Sequence, residues 1–282
     1  MVTVTIFLLV SGCAAQTRVA GDVRFALMGD TPYSEQQVPR LDRLIEDLNA
    51  EDLAFVVHIG DVTSGQGPCS DDWFRERKQQ FAKIRHPFVL LPGDNDWTDC
   101  HRTGYSPTER LAHWREVFCT REPRLRLEIQ RGEYCEHVRW QAGNALFVAL
   151  NVQGSNNNLG RNAAMDAEYL ARMKAVLAWI DDSERVLRAR KLQWIVLAMQ
   201  ANPFLRPRSG PNGYDSLLER VKRLAAEHPG AVILVTGDTH THRDDEPLPG
   251  VRRIEPWGSP IVSWLRGSIS AAGFNVGVAG MY

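Results

Sequence analysis

The sequence predicts an α/β fold in which parallel strands are joined by helices through the first half and antiparallel strands are added in the second. Three observations predict it. Four short apolar runs each end in a Gly-Asp pair: FALMGD at Asp30, FVVHIGD at Asp61, FVLLPGD at Asp94 and VILVTGD at Asp238. Strands buried on both faces of a sheet read as such runs, and ligands bind beyond their carboxyl ends. Segments of helical spacing separate the first three runs, and a later Gln141-Ala142-Gly143-Asn144 stretch between two apolar runs reads as a hairpin turn.

Taken in order, Val23 to Met28 is a strand and Glu35 to Asn49 a helix, with Leu41, Leu44, Ile45 and Leu48 on one face. Phe55 to Ile59 is the next strand. Asp71 to Ile84 is a helix capped by Ser70 or Asp71, Phe88 to Leu91 a strand, and Pro107 to Phe118 a helix opened by Ser106-Pro107. Tyr134 to Trp140 and Ala145 to Asn151 form the hairpin. Gly154 to Asn162 reads as a polar loop, Ala163 to Ala189 as a helix, Leu192 to Met199 as a strand, Tyr214 to His228 as a helix, and Ala231 to Thr236 as the strand before Asp238. Two closing strands are expected between Ile254 and Ser270, on either side of Trp257-Gly258.

With 282 residues, 44% hydrophobic and 24% charged, the chain is expected to form one large domain over 16–282. Its 33 basic and 34 acidic residues leave no Lys/Arg block of the kind that holds nucleic acid or a membrane surface by charge. Residues 1–15 differ in kind. Thr3 to Val10 is uniformly apolar and too short to span a bilayer, as in an export signal, although no Lys or Arg precedes it. Val10-Ser11-Gly12-Cys13 resembles a bacterial lipobox, which implies a periplasmic or cell-envelope protein tethered by a lipid on Cys13; an ordinary cleaved signal is the alternative. Without Cys13 the cysteines number four. They allow three pairings, of which Cys69–Cys100, each shortly after a Gly-Asp turn, and Cys119–Cys135, closing a short loop, are favoured over four free thiols.

Four carboxylates gathered at strand ends repel one another, so either their pKa values rise or cations compensate them, and two divalent ions suit four acidic ligands. The alternative for each pair alone is a turn, with Gly accepting positive φ and Asp capping the next amides. His58, His86, His113, His137 and His228 read as hydrogen-bonded structural residues. Trp97 is a packed aromatic or a pocket floor, and Asn156 to Asn158 with Arg161 read as a solvated loop in preference to a phosphate contact.

The order and spacing of these turns resemble the five motifs of the calcineurin-like metallophosphoesterases over nearly the whole mature length. The resemblance implies a two-sheet α/β/β/α sandwich of mixed parallel and antiparallel strands. It implies two divalent metal ions that polarise a phosphoryl group while a hydroxide shared between them attacks phosphorus in line. Asp30 falls on the aspartate of Asp-x-His, with Pro32 in the histidine's place. Asp61 falls on the aspartate that bridges both metals. In Gly93-Asp94-Asn95-Asp96, Asp94 replaces a metal-binding Asn, and Asn95 replaces the histidine that protonates the leaving group. Gln200 takes the fourth motif's histidine, with Asn202 as the alternative. In Gly237-Asp238-Thr239-His240, Asp238 replaces one histidine and His240 retains the other, with His242 as a spare donor.

The implied ligands are Asp30, Asp61 and His240 for one ion, and Asp61, Asp94, Gln200 and Asp238 for the other; the catalytic residues are Asp61, Asn95 and His240. Trading imidazole for carboxylate and amide favours Mn²⁺, Mg²⁺ or Ca²⁺ over Zn²⁺, with Fe also open. Loss of the acid at Asn95 favours aryl phosphates, diesters or anhydrides over alkyl monoesters, unless His101 or His242 substitutes. The substrate class is a small phosphate ester or a phospholipid. A degenerate relative that binds metal or a phosphorylated ligand without turnover is the alternative function. A haloacid dehalogenase-type phosphatase is disfavoured, because Asp30 is followed by Thr31-Pro32 and not by x-Asp.

Overall fold

A computed structural model describes residues 22–119 and 122–282. The leader and Cys13 lie outside the described residues. The elements are β1 (Val23–Met28), α1 (Val38–Ala50), β2 (Phe55–His58), α2 (Asp71–Phe81), β3 (Phe88–Leu90), α3 (Pro107–Phe118), β4 (Glu128–Ile129), β5 (Val138–Ala142) and β6 (Ala145–Ala149). They continue with α4 (Gly154–Asn157), α5 (Ala163–Ala189), β7 (Trp194–Ala198), α6 (Asp215–Glu227), β8 (Val232–Val235), β9 (Arg243–Leu248), β10 (Val251–Glu255), β11 (Ser263–Ser270) and β12 (Gly273–Met281).

Two mixed sheets result, one of five strands in the order β12-β11-β1-β2-β3 and one of seven in the order β4-β5-β6-β7-β8-β10-β9. The period-two alternation of each strand decides how they stack. Phe25, Leu27, Phe55 and Val57 of the first sheet point inward against Trp140, Phe147, Ala149, Val196 and Val235 of the second, and together fill the layer between sheets. Phe25, Phe55 and Phe147 meet with ring centroids 4.9–5.3 Å apart. Each such ring, once buried, contributes about 1.5–3 kcal/mol by area alone. Ala26, Met28 and Val56, one residue out of phase, face outward onto Leu41, Leu44 and Phe74 of α1 and α2. On the far side, Leu146, Ile195, Leu197 and Leu234 pack against Val176, Ile180, Leu217 and Val221 of α5 and α6. This is the α/β/β/α sandwich.

Several elements depart from the sequence reading. The helix expected from Glu35 opens with a 3₁₀ turn over Glu35–Gln37 and becomes α-helical at Val38, with Pro39 in its first turn, where a missing N–H costs nothing. The hairpin between β5 and β6 turns on Gly143 and Asn144 alone, since Ala142 pairs with Ala145. The two closing strands expected between Ile254 and Ser270 are β10 and β11, and two further strands, β9 and β12, flank them. The one at Arg243–Leu248 is a charged sheet edge and β12 is rich in glycine, so neither carries the apolar signature of a buried strand. Both favoured disulfides are present, Cys69–Cys100 and Cys119–Cys135. His58 is buried with Nε2 2.8 Å from the Thr31 carbonyl, and burial pushes its pKa down to about 4, as a core histidine requires. Trp97 is fully buried, with the Arg172 guanidinium over its ring.

Candidate metal centre

The carboxyl ends of β1, β2, β3 and β8 bring Asp30, Asp61, Asp94 and Asp238 together at one rim of the sandwich, with Gln200 following β7. All five side chains belong to residues that are almost wholly buried, except Asp238, which is half-buried. The backbone is unusual here. Asp30, Asp61, Asp238 and His240 adopt left-handed φ values of 49°, 59°, 72° and 57°. Non-glycine residues at positive φ concentrate where a site over-determines the chain. The glycines of the four pairs serve a different purpose from the expected one, because only Gly60 has positive φ. A Cβ on Gly29 would lie 2.2 Å from Ile59, on Gly93 2.0 Å from the Asp61 carboxylate, and on Gly237 2.5 Å from the Asp30 carboxylate. They are glycines because the carboxylates and neighbouring turns occupy the space of a side chain.

Asp96 locks two of the turns to each other. Its Oδ2 accepts the Asp61 and Gly93 amides at 3.0 and 2.8 Å, and its Oδ1 the Val62 amide at 2.8 Å. With three backbone amides on its two oxygens, Asp96 positions the Asp61 and Asp94 turns. The Asn95 amide donates to Asp61 Oδ1 at 2.9 Å, and the adjoining Cys69–Cys100 bond staples the segments that follow Asp61 and Asp94. Glu255, at the end of β10, accepts the Thr239 amide at 3.1 Å and so holds the Asp238 turn.

The electrostatics are those of crowded acids. Burial pushes the Asp30 and Asp238 carboxyls up to about 7, and burial with the charge of Asp238 pushes Asp94 up to about 8. Asp96 rises to about 7 through burial against its three amide bonds, and Asp61 rises well above its ordinary range through burial and the charges of Asp94, Asp96, Asp30 and Asp238. His240 moves down through burial, which keeps its imidazole neutral and able to ligate.

Two expected ligands have further structural ties. Gln200 Nε2 donates to Asp61 Oδ2 at 2.9 Å and its Oε1 accepts the Gly154 amide at 2.6 Å, so a half-turn of the amide is needed to present oxygen to a cation beside Asp61. The alternative, Asn202, lies elsewhere: its side chain spans Glu255 and Arg253. His242 is likewise occupied, with Nδ1 2.8 Å from the Glu255 carbonyl and its ring on Trp257.

The sequence reading missed two side chains at the centre. The Tyr33 hydroxyl donates to Asp61 Oδ2 at 2.9 Å and lies 3.3 Å from Asp30 Oδ1 and 3.0 Å from His240 Nε2. Ser155 Oγ lies 2.7 Å from Asp94 Oδ2 and 3.0–3.1 Å from both oxygens of the buried Asp99. The supposed solvated loop is therefore part of the site. Ser155, Asn156, Asn157 and Asn158 all have φ between 51° and 70°, so α4 is one left-handed turn. It is held from α5 by the buried Arg172, which donates to the Asn151 carbonyl at 2.9 Å, to Asn157 Oδ1 at 2.6 Å and to the Asn157 carbonyl at 3.0 Å. Asn tolerates the left-handed region better than most residues, and the Asn triplet was the available sequence signal.

The donor set fits divalent cations on two observations. Asp94 Oδ1 is buried without any hydrogen-bond partner. A Cβ on Gly154 would fall 2.8 Å from that oxygen and 2.4 Å from Asp238 Oδ1, so the two oxygens converge on a cradle kept open by the absence of a side chain. Two tighter groupings of potential donors are otherwise engaged. Cys119 and Cys135, beside Glu136, are disulfide-bonded, and Glu184, Glu227 and His228 lie among Arg188 and Arg220.

The sequence matches the family model described as calcineurin-like phosphoesterase over residues 23–242. Among solved structures, the fold is similar to that of a dimetal phosphatase from Danio rerio, with a TM-score of 0.61 and 12% identity over 92% of this chain and 96% of that one. It is also similar to GAP50, the anchor in the inner membrane complex of Plasmodium, with a TM-score of 0.53 and 11% identity over 92% of this chain and 84% of the other. At these identities the likeness is one of fold. No curated protein matches the sequence.

Proposed function

Because the chain belongs to the calcineurin-like phosphoesterase family, we propose that it is a metal-dependent phosphoester hydrolase with a carboxylate-rich dinuclear centre. The observation that carries this reading is the convergence of strand-end carboxylates on one cradle, including the partnerless Asp94 Oδ1. Asp30, Asp61 and His240 would hold one ion, and Asp61, Asp94, Gln200 and Asp238 the other. Bound divalent ions would neutralise the carboxylates, polarise phosphoryl oxygens and acidify water for in-line attack.

The chain's own residues do the rest. Asp61 is aimed by the Asn95 amide on one oxygen and by Tyr33 and Gln200 on the other, so its carboxylate cannot swing. Ser155 fixes Asp94 in the same way. No histidine stands at Asn95, so departing groups must leave without help from that position, which favours aryl esters, diesters and anhydrides. The two disulfides support an exported protein, in keeping with a leader and a lipid on Cys13. The substitutions at Pro32 and Asn95 favour a second reading, a relative that binds metal without turnover. Assay of bis-aryl and mono-aryl phosphates with added Mn²⁺ separates the two. Turnover lost in Asp61→Asn supports the hydrolase, and metal uptake without turnover supports the second reading.

A further inference from the structure

Beside Asp99 the acidic floor of the site has a basic rim. Arg161, beyond α4, and Arg102, in the turn after β3, grip opposite oxygens of Asp99, the first at Oδ1 and the second at Oδ2, 2.8 Å away. Asp99 touches Ser155 Oγ, which in turn touches Asp94 Oδ2, so both guanidiniums stand three contacts from the cradle. Among the described residues neither has a second carboxylate within 4 Å, so the trio carries a surplus positive charge. Both retain access to solvent, with side chains 20% and 38% exposed. Arg161 otherwise donates to the Thr98 carbonyl at 2.5 Å and lies 2.7 Å from His101 Nδ1, and Arg102 donates to the Gly65 carbonyl at 3.2 Å. A Cβ at Gly65 would lie 2.7 Å from Arg102 Nη1 and 3.0 Å from Asn95 Oδ1, so the glycine lets Arg102 pack close to Asn95.

We propose that Arg161 and Arg102 form a subsite for a second phosphoryl group, so that the substrate class is a diphosphate and the bond cleaved is a phosphoric anhydride or an ester next to one. The inference rests on the hydrolase reading and deepens it. A planar guanidinium offers paired N–H donors that match phosphoryl oxygens. An anhydride also suits a centre without a general acid at Asn95, because a phosphate leaving group needs no proton to depart from phosphorus. Cleavage exchanges one P–O bond for another, with water giving its oxygen to one phosphoryl and a proton to the medium.

The test is calorimetric titration of the Mn²⁺-loaded full chain with methylphosphonate and methylenediphosphonate, which differ by one phosphoryl group and resist hydrolysis. The diphosphonate is expected to bind about tenfold more tightly, the gain of one charge-assisted contact. Arg161→Ala and, as the more exposed alternative, Arg102→Ala are each expected to remove most of that ratio while leaving methylphosphonate affinity within about twofold. A merely structural latch would weaken both ligands alike and leave the ratio unchanged, which overturns the proposal, as does equal affinity in the unaltered protein. Binding of neither anion would instead defeat the hydrolase reading itself, and the subsite with it.

Discussion

Stripped of divalent cations, the protein should lose stability as pH rises through neutrality, and a divalent cation should restore it. In the folded chain Asp30, Asp96 and Asp238 are held at about 7 and Asp94 at about 8, against an ordinary 3.8. Between those limits the folded state binds more protons than the unfolded one, so stability falls with rising pH until the folded groups ionise, and is level above them. Two buried histidines act in the opposite sense at lower pH. His58 and His137 are pushed down to about 4 from 6.5, so stability gained from them rises up to about that ordinary value and then stops. The window from pH ~6.5 to ~8.5 therefore isolates the carboxylates. Over it the raised carboxyls, Asp61 among them, together lose on the order of a few kcal/mol, and of Asp30, Asp94, Asp96 and Asp238 the highest, Asp94, contributes the largest share. Urea midpoints at half-unit pH steps, with chelator and with excess Mn²⁺, read this directly. The chelated protein should follow the fall, Asp94→Asn should show a shallower one, and the Mn²⁺ form should be nearly flat. A chelated protein whose stability stays constant or rises across the window would refute a crowded, charge-starved centre.

The remaining predictions concern single parts of the site. Gly154→Ala places a methyl 2.8 Å from Asp94 Oδ1 and 2.4 Å from Asp238 Oδ1, so the two carboxyls must give way and metal uptake at that cradle should fall at least about tenfold, as titration calorimetry would show. Replacing Cys69 and Cys100 together by Ala opens a cross-link spanning 31 residues, which should cost about 3–4 kcal/mol of unfolding free energy in denaturant titrations. With no histidine at Asn95, aryl phosphates should be hydrolysed about 10²-fold or more faster than alkyl monoesters. Equal rates on the two would mean that another residue supplies the proton.

The strand-end aspartates were legible because each closes a short, largely apolar run with a Gly-Asp pair and four such pairs recur in the chain. The helices Pro107–Phe118 and Ala163–Ala189 were legible to the residue, since Ser106-Pro107 marks the start of the first and the polar loop ending at Asn162 precedes the second. What escaped is built by long-range contacts. Tyr33 reaches Asp61 and His240 from separate turns, and nothing within its own segment announces that. Ser155 owes its place to a left-handed turn that Arg172 and the Tyr214 hydroxyl, 3.0 Å from the Gln153 carbonyl, hold from two helices. Asp96 was visible as the second acid in Gly93-Asp94-Asn95-Asp96, yet its role as acceptor of three amides depends on how closely β2 and β3 end together. The edge strands β9 and β12 escaped because an edge is relieved of the demand for apolar residues on both faces.

If the strand-end carboxylates exist to hold metal, the metal content of the folded protein reads it out. The full chain, expressed in an oxidising compartment and equilibrated with Mn²⁺, should retain two divalent ions per molecule by elemental analysis, and Asp61→Asn, which removes the shared ligand, should retain one or none. A protein that folds with both disulfides formed and carries no ion in either form would contradict the account and return the four Gly-Asp pairs to the role of turns.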